Sequence, residues 1–154
     1  MTDPEEKFVC VNRKARHDYF IEATYEAGLV LMGSEVKSLR EGKAHLKDSY
    51  ARIHKGEAFL LNTHISPYAA ANRLNHDPTR TRKLLLHRQE IRRLTGKVKE
   101  RGLTLIPLRV YFKNGRAKVE LGLARGKKLY DKRETLRKKA AQREVEQSLK
   151  SRKQ

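Results

Sequence analysis

The sequence predicts a mainly β fold with flanking helices: a small antiparallel OB-like barrel, followed by a basic C-terminal tail. Three observations lead to this prediction. Short runs of strand-forming residues recur along the chain, an Asn114-Gly115 pair marks a tight hairpin, and the rhythm of alternating strands and long helices is missing. A length of 154 residues suits one domain with a tail.

The hairpin at Asn114-Gly115 is the clearest local signal, because this dipeptide favours a two-residue type I′ turn between antiparallel strands. The implied register puts three apolar pairs on one dry face of the ribbon: Phe112–Ala117, Val110–Val119 and Leu108–Leu121. Arg109 and Glu120 then face each other on the other side, beside Tyr111. The ribbon is expected to cover a core with one face and meet water with the other.

The remaining elements follow from periodicity and turn residues. The other predicted strands are residues 19–31, with a bend or bulge at Gly28, then 50–53, 58–65 and 83–86. Ser34 is predicted to cap a short helix that ends at Gly42, and a second helix spans about 89–101. Residues 66–82 are predicted to form a long loop, a feature that is often functional.

The charge of the chain points to a polyanionic partner. The net charge is +18, from 36 Lys and Arg against 18 Asp and Glu. Solubility alone needs a net charge of only about 2–8, so RNA, DNA or an acidic membrane surface is the expected partner. Residues 125–154 hold 12 Lys and Arg against 4 Asp and Glu.

The expected organisation is an N-terminal extension over 1–10, an OB-like RNA-binding barrel over 11–124 and a basic tail over 125–154. The tail favours helix by composition but has only a thin apolar stripe. It is therefore predicted to be disordered when free and helical when a partner neutralises its charge. An autonomous, solvent-exposed helix is the alternative.

Several functional classes lack support in the sequence. A single cysteine, Cys10, excludes an intramolecular disulfide and a four-cysteine zinc site. The acidic N-terminus does not resemble a signal peptide, and no apolar run reaches the roughly 18 residues of a membrane span. The six histidines form no metalloprotease or zinc motif. We expect no catalytic residues, no metal, no cofactor, no membrane association and a cytoplasmic location.

Three basic runs favour RNA as the partner: residues 12–17, 79–83 and 126–133. Lys and Arg contact phosphates, and Tyr130 within the third run can stack on an unpaired base. A single basic run often merely faces solvent, but three such runs on a chain of this charge are stronger evidence for RNA binding. A small barrel cannot read the deep major groove of an RNA duplex, so a folded RNA with loops is expected.

Four segments carry a resemblance to a known family: NRKARHDY at 12–19, EVKSLREGK at 35–43, DPTRTRKLLL at 77–86 and GKKLYDKR at 126–133. In this order they resemble the motif series of the SsrA-binding protein family, over about residues 11–133. The resemblance implies an OB-like barrel that binds the tRNA-like domain of tmRNA. It also implies delivery, with elongation factor Tu, to the A site of stalled ribosomes for trans-translation.

The resemblance and the basic runs together give candidate site residues. The expected tmRNA-binding residues are Asn12, Arg13, Lys14, Glu26, Lys43, Arg80, Arg82, Lys83, Leu85 and Lys118. The expected ribosome-binding residues of the tail, near the decoding centre and in the vacant mRNA channel, are Lys127, Lys128, Tyr130, Asp131, Lys132 and Arg133. Tyr130 stands where many members carry His; it keeps a stacking ring but loses a titratable cation.

By residue type alone, two of these assignments have an alternative. Glu26 is equally consistent with a cross-strand salt bridge, and a leucine such as Leu85 is more often a core residue than an RNA contact. Two competing functions are a stoichiometric ribosomal protein and an RNA-processing enzyme that uses His17, Asp18 and Glu22. The protein is expected to be a monomer.

Overall fold

The computed structural model describes residues 6–127 and Arg143, apart from the side chains of 72–74. The strands are β1 Glu6–Val11, β2 Tyr19–Leu29, β3 Ala44–His45, β4 Tyr50–His54, β5 Glu57–Leu61, β6 His64–Ile65, β7 Arg82–Leu85, β8 Thr104–Lys113 and β9 Arg116–Gly126. The helices are α1 Ala15–Asp18, α2 Gly33–Arg40 and α3 Arg88–Arg101, with a 3-10 helix at Ala69–Leu74.

Six strands pair in a closed cycle. Around the cycle, β8 pairs with β4, β4 with β5, β5 with β7, β7 with β2, β2 with β9, and β9 again with β8, always antiparallel. Strand β1 adds to β8 beside the cycle, and β3 pairs with β6 in a separate two-stranded sheet. The predicted class, mainly antiparallel β with flanking helices, is confirmed.

The main core consists of the inward side chains of these strands, closed by two helices. Leu60 of β5 and Leu121 of β9 have no exposed surface, and Leu39 of α2 and Leu94 of α3 pack into the same cluster. A smaller cluster joins Ala15 of α1 to Ile106, Leu108 and Ala124 on β8 and β9. Helices α2 and α3 therefore pack on the sheet through a few aliphatic residues. The outer faces of the strands are left available to a partner.

The β8–β9 hairpin is confirmed, and its turn residues Asn114 and Gly115 have φ of 51° and 76°. The pairs Phe112–Ala117, Val110–Val119 and Arg109–Glu120 are also confirmed. The pair Leu108–Leu121 is wrong, because a bulge between 107 and 109 places Pro107 opposite Leu121. Pro107 has no N–H to donate to the ladder, so a bulge is a natural interruption there. Tyr111, expected on the wet face, is 2% exposed.

Strand β2 is confirmed as a long strand, but its irregularity lies between Ile21 and Ala23 and not at Gly28. Gly28 instead allows two strands to approach closely, as described below. The helix predicted at Ser34 is also present, although Met32 is the N-cap and donates its N–H to the Glu35 carboxylate at 2.8 Å. Ser34 is buried and hydrogen-bonded to Nδ1 of His76, 2.8 Å away.

Three expected boundaries differ from the elements observed. The predicted loop 66–82 contains the 3-10 helix Ala69–Leu74 and the first residue of β7. Strand β1 lies partly within the predicted extension 1–10, and β9 continues to Gly126, two residues past the predicted barrel limit. The second predicted helix is confirmed as α3, which ends at Gly102 with φ of 61°.

Candidate nucleic-acid interface

A groove of about 550 Å³ opens beside the end of β2, between β7, the start of α3 and the β8–β9 turn. Its apolar lining includes Leu31, Val36 and Phe112, and charged side chains stand among the other lining residues. Three of the predicted site residues line it together: Glu26, Leu85 and Lys118. Residues far apart in sequence, on β2, β7 and β9, therefore meet in one place.

The strand register explains why these residues meet. Gly28 on β2 lies opposite Leu85 of β7 on one side and opposite Lys118 of β9 on the other. Directly opposed residues of antiparallel strands share a face, and Glu26 shares it with Gly28 because side chains alternate along a strand. A Cβ at position 28 would lie 3.2 Å from the Cβ of Leu85. Gly28 therefore leaves a notch between an exposed leucine and a lysine.

Glu26 is held as a carboxylate. It accepts a short hydrogen bond from the hydroxyl of the buried Tyr111 and lies 3.6 Å from Nζ of Lys113. The Tyr111 hydrogen bond, aided by the charges of Lys113 and Lys118, holds the pKa of Glu26 below its usual value. A carboxylate has about four acceptor positions, so Glu26 keeps capacity for a base amino group or a ribose 2′-hydroxyl.

One more lysine and one arginine add positive charge at the edge of the groove. Lys113 and Arg116 stand with Glu26 and Lys118 around a smaller hollow at the hairpin turn. Leu85 is 55% exposed, a high value for a leucine, and lies at the opposite side of the notch. The groove thus offers an apolar contact surface, a carboxylate acceptor and cations within one site, which suits a nucleotide with its base, ribose and phosphate.

A second groove lies where β1 ends. Val11, Asn12, Arg13, Arg16 and Arg109 line it, together with Leu108 and Glu120. Arg109 is fixed by Glu120 at 2.8 Å and covers the rings of Phe8 and Tyr111 at 4.9 and 5.0 Å. Since Glu26 pairs with Glu120 in the β2–β9 register, the two grooves are neighbours on one outer face.

Asn12 contributes to the shape of that face. Its backbone N–H donates to the carbonyl of Leu108 at 2.7 Å, and its side-chain amide donates to the carbonyl of Pro107 at 3.0 Å. Both acceptors lie at the β8 bulge, so Asn12 fastens the end of β1 to the bulge. Arg13 and Lys14 follow it and are exposed.

Arg82 does not fit the expectation of RNA contact. Its side chain is fully buried and donates to Glu35 at 2.5 Å, to the carbonyl of Thr63 at 2.7 Å and to that of Pro78 at 3.1 Å. Burial would raise the pKa of Glu35, but hydrogen bonds from Arg80, from the N–H of Met32 and from Arg82 outweigh it and lower that pKa. Arg82 is therefore an internal cation that ties β7 to α2.

The other predicted basic residues are spread over the surface. Arg80 is partly exposed and pairs with the same Glu35 at 2.5 Å. Lys83 lies on the exposed side of β7, two residues from Leu85, with Glu57 at 3.6 Å. Lys43 lies outside both grooves; it follows α2 and pairs with Glu41 at 3.1 Å. The structure therefore gathers Asn12, Arg13, Glu26, Leu85 and Lys118, but not Lys43 or Arg80.

Lys127 is the one predicted tail residue that the structure describes. Its Nζ donates to the carbonyl of Arg16 at 2.9 Å and lies 5.0 Å from the ring centre of Phe20. The start of the tail is thus held against α1 and the beginning of β2. The predictions for Lys128, Tyr130, Asp131, Lys132 and Arg133 lie outside the described residues.

Sequence reasoning missed several residues of this face. The aromatic support of Arg109 by Phe8 and Tyr111 and the role of Gly28 as a notch depend on strand register. Arg116 could have been noted, since it directly follows the predicted turn. Tyr111 gave no signal, because alternation placed it on the wet side, where Glu26, Phe8 and Arg109 lie against it.

The residues proposed for an RNA-processing enzyme do not converge. His17 and Asp18 form an exposed pair 3.0 Å apart, whereas Glu22 is paired with Arg101 of α3 at 3.0 Å. Asp18 ends α1, whereas Glu22 lies on β2. Within residues 6–127, no three metal-ligating side chains come together, and no helix there is long and apolar enough to cross a membrane.

The fold and the two neighbouring grooves define a class: a small antiparallel β protein whose outer face suits a structured RNA. A sequence model described as SmpB protein matches residues 9–151, so the chain belongs to the SmpB protein family. It is 62% identical over 152 residues to the SsrA-binding protein of Geobacillus thermodenitrificans (strain NG80-2), covering 99% of this chain and 98% of that one.

Two further comparisons agree. The SsrA-binding protein of Desulforudis audaxviator (strain MP104C) is 67% identical over 145 residues, with 94% of this chain and 95% of the relative covered. A solved chain described as "tmRNA-SmpB: a journey to the center of the bacterial ribosome" is 58% identical with a TM-score of 0.65. That match covers 76% of this chain and 82% of the solved one.

Proposed function

We propose that this protein binds the tRNA-like domain of tmRNA and delivers it to stalled ribosomes for trans-translation. The observation that carries the proposal is the meeting of Glu26, Leu85 and Lys118 in one groove on three adjacent strands. These are the positions that the family resemblance assigned to RNA contact, and membership of the family is shown over residues 9–151. The protein acts by binding and positioning RNA, not by catalysis.

The contacts divide by chemistry. Lys118 and Arg116 neutralise phosphates. These contacts give affinity and salt dependence, but they do not distinguish one RNA from another. The exposed Leu85 and the notch at Gly28 accept the flat or apolar part of an unstacked nucleotide. Glu26 accepts a hydrogen bond from a base or ribose donor. A phosphate has no such donor, so Glu26 favours a correctly placed nucleotide over any nearby phosphate.

The wider role follows from the family. Our proposal includes delivery with elongation factor Tu, entry into the A site and passage of the tail from the decoding centre into the vacant mRNA channel. Residues 128–154 add 10 Lys and Arg against 4 Asp and Glu, a charge suited to a channel lined by RNA. The protein works in the cytoplasm as a monomer.

A competition assay tests the proposal. Labelled tRNA-like domain of tmRNA is bound at about 0.15 M salt and then challenged with excess bulk tRNA and duplex RNA. Binding that survives both competitors shows that the protein reads the shape of this RNA. Equal displacement by bulk RNA would show that only charge is read, and a stoichiometric ribosomal protein would become the better interpretation.

A further inference from the structure

The small β3–β6 sheet carries a pair of stacked histidines that the RNA-binding face does not use. His45 of β3 lies opposite His64 of β6, with ring centres 4.7 Å apart and ring planes inclined by 3°. His64 is half-buried and His45 is exposed. The pair, here called the histidine stack, is therefore a two-ring platform whose outer ring lies at the surface.

Lysines flank this platform along the chain. Exposure alternates from Lys43 to Lys47, so that Lys43, His45 and Lys47 are exposed while Leu46 is buried. Lys43 lies roughly 7 Å from His45 along the extended segment, and Lys47 follows in the turn 46–49. Lys43 already has a partner in Glu41, at 3.1 Å, but both side chains are about half exposed. Such a pair exchanges readily for a phosphate.

We propose that the histidine stack is a second RNA contact, which binds one unpaired nucleotide with its base on His45 and its phosphates on Lys43 and Lys47. His is among the side chains on which splayed RNA bases stack. His64 already holds the ring of His45 by stacking, so little side-chain freedom is lost when a base is added. The proposal rests on the proposed RNA-binding function and gives Lys43 a role outside the two grooves.

Charge alone does not explain such a site. Residues 41–48 contain two lysines and two acids, Glu41 and Asp48, so the segment is formally neutral. A generic basic patch would be strongly positive and would lose its ligand as salt rises. Stacking is less sensitive to salt, and we therefore expect the ring of His45 to matter more than either lysine.

The first test follows the imidazole C–H signals of the full-length protein by NMR during titration with a hexamer of riboadenylates. The signals of His45 and His64 are expected to shift, whereas those of His54, an exposed histidine next to the β4–β5 turn, are expected to stay. An abasic hexamer with the same phosphates is the matched ligand. Equal shifts with the abasic hexamer would overturn base stacking.

The second test measures affinity with labelled hexamer by fluorescence anisotropy at about 0.15 M salt. We expect His45→Ala to weaken binding by roughly fivefold or more, which is the value of one stacked base. His45→Phe keeps a ring and should retain affinity, and His54→Ala should have no effect. Thermal unfolding of the variants separates loss of the site from loss of the fold.

Two results would overturn the proposal: equal NMR shifts with the abasic hexamer, or unchanged affinity in His45→Ala. Neither outcome bears on tmRNA recognition, because the competition assay uses the tRNA-like domain and the groove at Glu26. Conversely, displacement of tmRNA by bulk RNA would refute the proposed function and leave the hexamer results standing.

Discussion

Leu84 and Leu85 are neighbours on β7 with opposite environments, since Leu84 is 1% exposed and Leu85 is 55% exposed. We predict that Leu85→Ala lowers affinity for the tRNA-like domain roughly fivefold or more, because an apolar contact is lost. Its melting temperature should hardly change. Leu84→Ala is the control: it opens a cavity and should cost about 2–5 kcal/mol of stability. Equal losses of stability and affinity in Leu85→Ala would contradict the assignment.

The buried ion cluster of Glu35, Arg80 and Arg82 predicts a large effect of a single residue. Glu35→Ala would leave Arg82 buried without its carboxylate and should cost about 3–5 kcal/mol in the free energy of unfolding. Glu57→Ala, which removes the exposed partner of Lys83, should cost less than about 1 kcal/mol. Urea denaturation measures both, and similar midpoints for the two variants would refute the prediction.

The same cluster gives a pH dependence with a definite sign. Folding lowers the pKa of Glu35 below its ordinary 4.5, so ionised Glu35 stabilises the folded state at neutral pH. That contribution is present above pH 4.5 and is lost as pH falls through the lower, folded-state pKa. We expect the difference in stability between the natural protein and Glu35→Gln to narrow as pH falls below 4.5. A constant difference from pH 7 to pH 3 would contradict this.

At the scale of elements, the side-chain amide of Asn12 attaches the end of β1 to the bulge in β8. Asn12 donates to the carbonyl of Pro107, so Asn12→Ala should cost about 0.5–1.5 kcal/mol. Asn12→Asp should be worse, because a carboxylate facing a carbonyl oxygen repels it. Thermal unfolding measures the result, with the exposed Arg13→Ala as the neighbouring control for stability. An Asp variant as stable as the natural protein would refute this role.

The elements differ in how far the sequence determines them. The β8–β9 hairpin was predictable because Asn114-Gly115 fixes both the turn and the register of the next five residue pairs, as far as Arg109–Glu120. The register beyond Arg109 was not, because the bulge depends on Pro107 and on Asn12, which is 95 residues away. Likewise Ser34 was a good N-cap by type, but a buried contact with His76 uses its hydroxyl.

The candidate site shows the same limit. Glu26, Leu85 and Lys118 were assigned by resemblance, but only the pairing of β2 with both β7 and β9 brings them to one groove. Arg82 was misassigned because its basic neighbours suggested a surface run. Arg82 lies two residues from the buried Leu84, so strand alternation did place its side chain on the inner face. The carboxylate that permits its burial belongs to Glu35 on α2, and the strand's own sequence does not indicate that contact.

At the scale of the molecule, RNA binding and ribosome action should be separable. We predict that a chain ending at Lys127 keeps its affinity for the tRNA-like domain, because the described grooves lie within residues 11–120. It should lose tagging of stalled nascent chains, since residues 128–154 are missing. The chain is cut after Lys127 because a cut at the predicted domain limit, residue 124, would remove the end of β9 and the contact of Lys127 with Arg16. Tagging by the shortened protein would refute this division.

Cycle closure also orders events during synthesis of the chain. Strand β2 acquires its second neighbour only when β9 has been made, 90 to 107 residues later, since Gly28 pairs with Lys118 and Tyr19 with Gly126. Until then β2 and β8 each present an unpaired edge, which can recruit strands from other chains. Nascent chains that stop before Arg116 should therefore depend on chaperones, whereas chains extended past Gly126 can close their sheet and release them.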